Sequence, residues 1–224
     1  MHGLHHHPQP PAPANRAANT QGHVIRWAHV YDWTVRLLTM GHEKSLREKT
    51  IQQAGIRPGD TVLDVGCGTG TLTLLAKATT GETGQVMGID PSPEMIAVAQ
   101  RKAAEQHCDV RLQTGVIESL PFPDGTFDVI LSSLMFHHLP DDLKVRGLAE
   151  IYRTLKPGGH VLIVDIRRPV ALREHLSFLA LVHQGLKMGT DELVPYLRAA
   201  GYEDIQAGRL TRGALGYVQG RRGQ

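Results

Sequence analysis

Cysteine is scarce in this chain of 224 residues, which holds two, Cys67 and Cys108. They stand apart without CxxC spacing, so the sequence offers neither a disulfide framework nor a zinc site. A reducing, cytoplasmic setting and no bound metal are the expectation. An excess of one charge is also missing. Lysine and arginine number 24 against 22 acidic residues, a formal net charge of +2. Such a balance exerts no strong pull on nucleic acid. The short basic ending Gly220-Arg221-Arg222 reads as a solvated terminus. Long apolar runs are absent as well. None reaches the ~18 residues of a membrane span, and the best candidate, Val170 to Leu186, is broken by Arg173, Glu174 and His175. Contact with a membrane surface stays open. Apolar residues are rare among residues 1–20, which hold Pro8, Pro10, Pro11 and Pro13. That stretch lacks the core of a signal peptide and reads as a disordered leader. Its His2, His5, His6 and His7 are taken to have no function. No internal repeat is visible.

What is present is an ordinary globular composition, 41% hydrophobic and 21% charged, in a chain long enough to bury a core. Val24 to Met40 has the spacing of a helix with a broad apolar stripe. Val30, Trp33 and Leu37 fall on one face, and Trp27 and Tyr31 on the next. A second helix is expected from Lys44 to Ala54, ending before Gly55 and Pro58-Gly59. Strands and helices then alternate. Strands are expected at Thr61 to Val65, Gln85 to Ile89, Val110 to Leu112, Phe127 to Leu131 and His160 to Ile166. Helices are expected at Leu72 to Ala78, Pro93 to Glu105 with Ser92 as N-cap, and Leu143 to Leu155, which stops at Pro157-Gly158-Gly159. Strands separated by helices imply βαβ units and a parallel sheet, and near-continuous Val, Ile and Leu imply helices on both faces. Two more helical stretches, Leu172 to Lys187 and Glu192 to Ala199, precede two short strands, Tyr202 to Ala207 and Ala214 to Gln219. The expected fold is α/β, a Rossmann-like parallel sheet with a C-terminal antiparallel hairpin strand. The expected organisation is a leader (1–20), a helical lid (21–54) and the main domain (55–224).

Between the first strand and its helix lies Asp64-Val65-Gly66-Cys67-Gly68-Thr69-Gly70. Glycines there allow a sharp turn and let a ligand lie against bare backbone. The spacing is G-x-G-x-G. It differs from the G-x-G-x-x-G of a dinucleotide site and from an ATP phosphate loop. It suits a ligand with an adenosine and no pyrophosphate. Asp90 closes the next strand, 20 residues past Gly70, where a carboxylate can accept from ribose hydroxyls. The bland alternative is a tight turn and a helix cap.

These segments resemble a known family. VLDVGCGTG (Val62 to Gly70) looks like the first motif of class I S-adenosylmethionine-dependent methyltransferases. GIDPSPEMIAVA (Gly88 to Ala99) resembles their second. LPFPDGTFDVILSS (Leu120 to Ser133) and LKPGGHVLIVD (Leu155 to Asp165) resemble their fourth- and fifth-strand regions. The resemblance implies S-adenosylmethionine as cofactor. It implies that Gly66, Gly68 and Gly70 bear its methionine end, with Asp64 beneath. It places Asp90 on the ribose, Pro91 on the adenine and Ser132 near the sulfonium. Family members often carry an acidic residue where this chain has Val116, leaving the backbone of Val116 and Ile117 to meet the adenine. Tyr31, Asp32, Leu37, Thr39 and Gly41 partly resemble the start of ubiquinone/menaquinone-biosynthesis C-methyltransferases. Val35 departs from that pattern.

Methyl transfer from a sulfonium is an in-line displacement that depends mainly on positioning. A base is needed only if the acceptor must lose a proton. His138 and His137, after the fourth strand, are candidates; His29 and Tyr31 are weaker ones. Trp27, Tyr31, Trp33 and Leu38 would make the acceptor pocket apolar. The expected acceptor is a small lipophilic molecule: a quinone precursor, a lipid or a natural product. Nucleic acid is disfavoured, because Ser132-Ser133-Leu134-Met135 stands where an Asn-Pro-Pro-Tyr-like run would be. Two rival readings are an NAD(P)-dependent oxidoreductase and a non-catalytic adenosine-ligand-binding protein of the same fold.

Overall fold

The computed structural model describes residues 43–167, 189–211 and 215–224. The Val24 to Met40 helix, the Leu172 to Lys187 helix, and His29, Trp27, Tyr31, Trp33 and Leu38 lie outside these described residues.

Helix α1 covers Glu43–Ala54, and strand β1, Thr61–Val65, enters the core. Alternation follows through α2 (Thr71–Thr80), β2 (Gln85–Asp90), α3 (Pro93–Glu105), β3 (Arg111–Thr114), β4 (Phe127–Ser133), α4 (Asp141–Thr154) and β5 (Leu155–Ile166). A 3-10 turn at Thr190–Leu193 leads to α5 (Val194–Ala199), β6 (Glu203–Arg209) and β7 (Leu215–Arg221). The seven strands lie in the order β3-β2-β1-β4-β5-β7-β6. Strands β1 to β5 are parallel, and β7 runs antiparallel to both β5 and β6. The Rossmann-like parallel sheet with its antiparallel C-terminal hairpin is therefore as the sequence implied.

Successive strand residues face opposite sides. In β1, Val62 joins a cluster with Leu46, Leu72, Ala76 and Leu162, under α1 and α2. Leu63 and Val65 join the opposite cluster with Leu148, Ile151 and Leu197, under α4 and α5. Both faces are covered, which is why the strands are apolar throughout. Ser92 caps α3 as expected, its Oγ accepting from Met95 N–H at 3.2 Å.

Several boundaries depart from the expected ones. Helix α4 starts at Asp141 and ends at Thr154, and β5 begins at once with Leu155 instead of after Pro157-Gly158-Gly159. The proline–glycine run is absorbed as an irregularity, with Phe127 opposite Leu155 but Val129 opposite His160. The partner holding it is the end of the chain: Gly158 N–H donates to Arg222 O and Arg222 N–H donates to Gly159 O. The hairpin strands each extend two residues past the expected end, to Arg209 and Arg221.

The basic ending is docked, contrary to the solvated reading. The Arg222 guanidinium donates to the carbonyls of Tyr152, Arg153 and Leu155 and sits 5.2 Å from the centre of the Tyr152 ring. Tyr152 and Arg153 are in the last turn of α4 and Leu155 opens β5, and a cation suits that end of the helix dipole. Arg222→Ala is expected to lower stability by about 1–2 kcal/mol, read as a lower urea midpoint at unchanged slope. An unchanged midpoint would mean that water caps α4 equally well.

Candidate functional site

The turn after β1 is built by three left-handed residues. Gly66, Gly68 and Gly70 have φ of 73°, 53° and 77°, a region costly for side-chain-bearing residues. Gly66 and Cys67 N–H both donate to Ile89 O, which ties the turn to β2, and Gly70 N–H closes it on Cys67 O. At Gly70 an added Cβ would lie 2.8 Å from Ala99 Cβ on α3. At Gly66 it would lie 2.7 Å from the Met135 side chain. The bare face of Gly66 is thus partly covered by the residue that follows Leu134 after β4. From α3, Lys102 Nζ donates to the hydroxyls of Thr69 and Thr71 and holds the turn from outside.

Below the turn, Asp64 is 1% exposed and accepts from the Thr73 hydroxyl at 2.7 Å. Burial pushes its carboxyl up to about 6, against the opposing bond from Thr73 and the positive charge of Arg47. Burial also raises Asp90, against its two backbone donors. Those donors are Gly68 N–H on Oδ2 at 3.0 Å and Ser92 N–H on Oδ1 at 2.9 Å. The carboxylate closing β2 therefore binds the glycine turn directly. The Cys67 thiol, buried and near Asp64 and Asp90, is pushed far up and stays protonated, so it is no nucleophile.

An open cavity lies on this turn, lined by Arg47, Asp64, Gly66, Gly68, Ser133 and Leu134 among others. Asp90 does not line it but reaches the lining residue Gly68 through its Oδ2, and Pro91 follows Asp90 in the chain. Gly115 N–H donates to Asp90 O, which ties the segment holding Val116 and Ile117 to the end of β2, but neither residue lines the cavity. Val116 is half-buried in a tight turn that bridges to Ser119, and Ile117 is buried against Gly147. Ser132 does not line the cavity; its neighbour Ser133 does. Ser132 points to the other face of the sheet, where its hydroxyl is buried with no hydrogen-bond partner among the described residues. His137 and His138 lie in a 3-10 turn at Phe136–His138, their ring centres 3.8 Å apart. His137 bonds Asp165, which closes β5.

Four residues of the site escaped the sequence reading. Arg47 and Thr73 gave no local signal, and Lys102 looked like any solvated helix cation. Asp165 did carry one: like Asp90, it is an acidic residue ending an apolar strand. Among the described residues no group of three His, Cys, Asp or Glu could hold a metal, and no helix is long and apolar enough to cross a membrane.

Comparison with known proteins agrees with this architecture. Residues 62–159 match the family described as methyltransferase domain. A demethylmenaquinone methyltransferase of Symbiobacterium thermophilum is 36% identical over 163 residues, 72% of this chain and 64% of that protein. A ubiquinone/menaquinone biosynthesis C-methyltransferase of Marinomonas sp. is 37% identical over 141 residues, 62% of this chain and 55% of that one. The chain thus spans roughly three fifths of these relatives' length. The crystal structure of a SAM-dependent methyltransferase from Aquifex aeolicus superposes with a TM-score of 0.65 at 25% identity, covering 84% of this chain and 97% of that one.

Proposed function

We propose, from the premise that residues 62–159 are a methyltransferase domain of the S-adenosylmethionine-dependent, Rossmann-like class, that the whole chain transfers a methyl group to a small lipophilic acceptor of the quinone-precursor kind. The observation that carries the reading is the bond between Asp90 and Gly68. It joins the glycine turn to a carboxylate beside one cavity, at the carboxyl ends of parallel strands where such folds bind ligands.

The residues present fit S-adenosylmethionine. Gly66 and Gly68 offer bare backbone, and Gly70 opens α2, whose first N–H groups carry no side-chain cap. Arg47 and that helix end suit a carboxylate. Asp64 suits the neighbouring ammonium. Asp90 would hold the ribose hydroxyls through its remaining lone pairs. Pro91, Val116 and Ile117 would frame the adenine, with backbone in place of an acidic side chain. Ser133 replaces Ser132 as the β4 residue nearest the sulfonium. When bound, the cofactor supplies a methyl group already activated on sulfur. The chain's task is then to hold the acceptor in line and to exclude water. Where the acceptor must lose a proton, His137 and His138 are the bases at hand.

The acceptor class rests on relatives whose names state quinone methylation. Trp27, Tyr31 and Trp33 are assigned to the acceptor pocket on sequence spacing alone, as is the division into leader (1–20), lid (21–54) and catalytic domain (55–224). A cytoplasmic protein that meets its acceptor at a membrane surface fits this picture. Calorimetry tests it. S-adenosylhomocysteine is expected to bind one-to-one and NADH not to bind, and methylation of demethylmenaquinol is expected in the presence of the methyl donor. Binding of NADH alone would overturn the reading in favour of an oxidoreductase.

A further inference from the structure

The loop between β4 and α4 holds an arrangement that the glycine-turn cavity does not use. Asp165 is 3% exposed, and two of its three hydrogen bonds serve this loop. Its Oδ2 accepts from His137 N–H at 3.0 Å, and its Oδ1 lies 2.6 Å from His137 Nδ1. Oδ1 also accepts from Ile166 N–H at 2.7 Å. An ionised carboxylate only accepts, so Nδ1 carries the hydrogen and the lone pair of the neutral ring belongs to Nε2. The His138 ring packs against the same imidazole at 3.8 Å. His137 and Asp165 border a small cavity with Phe136, Lys144, Leu193 and Thr190. The Thr190 hydroxyl, wholly buried, has no hydrogen-bond partner among the described residues.

Burying a carboxylate is costly unless it is well bonded. A loop of this size could be pinned by apolar packing alone. Spending a buried charge on one imidazole nitrogen is the way a base is oriented, with the third group fixing the tautomer. The loop starts at the large cavity: Ser133 and Leu134 line it, Met135 lies on Gly66, and His137, two residues later, lines the small cavity that follows.

We propose that His137 is the proton acceptor for a hydroxyl on the methyl acceptor, of the phenol or hydroquinone class, and that Asp165 is its positioning residue. This deepens the methyl-transfer reading and rests on it. The acceptor's O–H bond breaks and the proton goes to Nε2. The electron pair stays on oxygen, or passes through the ring to the attacking carbon, and forms the new bond to the methyl carbon; in the second case that carbon's own hydrogen then leaves as a proton to water, its pair restores the aromatic ring, and the ring oxygen takes a proton back from water. The carbon–sulfur bond breaks with its pair kept on sulfur as a neutral thioether. The imidazolium then releases its proton to water. The role falls to His137 over His138 because Asp165 fixes the tautomer of His137.

The test has two readouts. In ¹⁵N-labelled protein, long-range ¹H–¹⁵N spectra, with His137 assigned by His137→Gln, are expected to show the proton on Nδ1. Asp165→Asn is expected to move the population toward the Nε2–H form. With demethylmenaquinol as acceptor, Asp165→Asn and His137→Gln are each expected to lower kcat by roughly 10²–10³-fold. KM and the Kd for S-adenosylhomocysteine should stay within about threefold, and Asp165→Glu should recover part of the rate. A wild-type His137 protonated on Nε2 overturns the proposal even if both variants misfold. So does a kcat kept within about threefold in both variants. Failure of the wild type to bind S-adenosylhomocysteine would overturn the methyl-transfer reading itself, which separates the two failures.

Discussion

Asp90→Ala is expected to weaken S-adenosylhomocysteine binding by about 1–3 kcal/mol, roughly 5- to 150-fold in Kd. Two losses combine. The ribose hydroxyls lose charge-assisted acceptors, which are the stronger class of hydrogen bond. The glycine turn also loses the bond from Gly68 N–H to Oδ2 that sets its distance from β2. The fold itself should persist. Helix α3 keeps its cap, since Ser92 Oγ still accepts from Met95 N–H, and Gly66 and Cys67 stay tied to Ile89 O. Asp90→Asn preserves the shape but turns one acceptor into a donor, so it should fall between. Calorimetry with S-adenosylhomocysteine reads both variants, and urea unfolding checks the fold. Unchanged affinity in Asp90→Ala would remove the ribose from this edge of the sheet.

Asp64→Asn should do the opposite to stability. Burial holds the Asp64 carboxyl at about 6, above its ordinary 3.8. Between those values the folded chain binds more protons than the unfolded chain, so stability falls as pH rises through that window. A shift of this size corresponds to a loss of about 3 kcal/mol at most by pH 7. An uncharged amide removes the penalty and can still accept from the Thr73 hydroxyl. Ligand-free Asp64→Asn is therefore expected to be more stable than wild type at pH 7.5 by about 1–3 kcal/mol, with the gain gone near pH 4. The same variant should bind S-adenosylhomocysteine less tightly, having lost the charge that faces its ammonium. Urea midpoints of both proteins at the two pH values check the sign. A variant less stable than wild type at both would show that Asp64 is not held against its own desolvation. A carboxylate kept at such a cost beside the glycine turn is what a binding site, as opposed to a plain turn, requires.

Most of the candidate cofactor site could be read from residue order alone. A glycine turn after an apolar strand and an acidic residue after the next are local patterns. Parallel topology then brings their carboxyl ends together, so residue order alone groups Asp64, Gly66, Gly68 and Asp90 at one end of the sheet. The reading failed where a side chain's direction mattered. Ser132 and Ser133 are adjacent and chemically alike, and only strand register decides which one meets the cavity. It failed also where a contact joins distant segments. The Arg47 charge on α1 acts on Asp64, and Lys102 on α3 donates to Thr69 and Thr71. Nothing in the spacing of a solvated-looking helix distinguishes these cations from their neighbours.

The chain's own order of residues determined the alternation of strands and helices, and with it the parallel sheet, because period and punctuation are local properties. It determined the glycine turn, since left-handed φ at Gly66, Gly68 and Gly70 is a demand on single residues. Tertiary structure alone decided the rest. It slotted β7 between β5 and the exposed edge strand β6, where its backbone N–H and C=O groups pair along both edges. It turned Arg222 from a loose tail into the cap of α4. It brought Asp165 to His137 across 28 positions. Each of these depends on which surfaces meet after the core has closed, and pairwise distances across a fold are not written in the spacing of either partner.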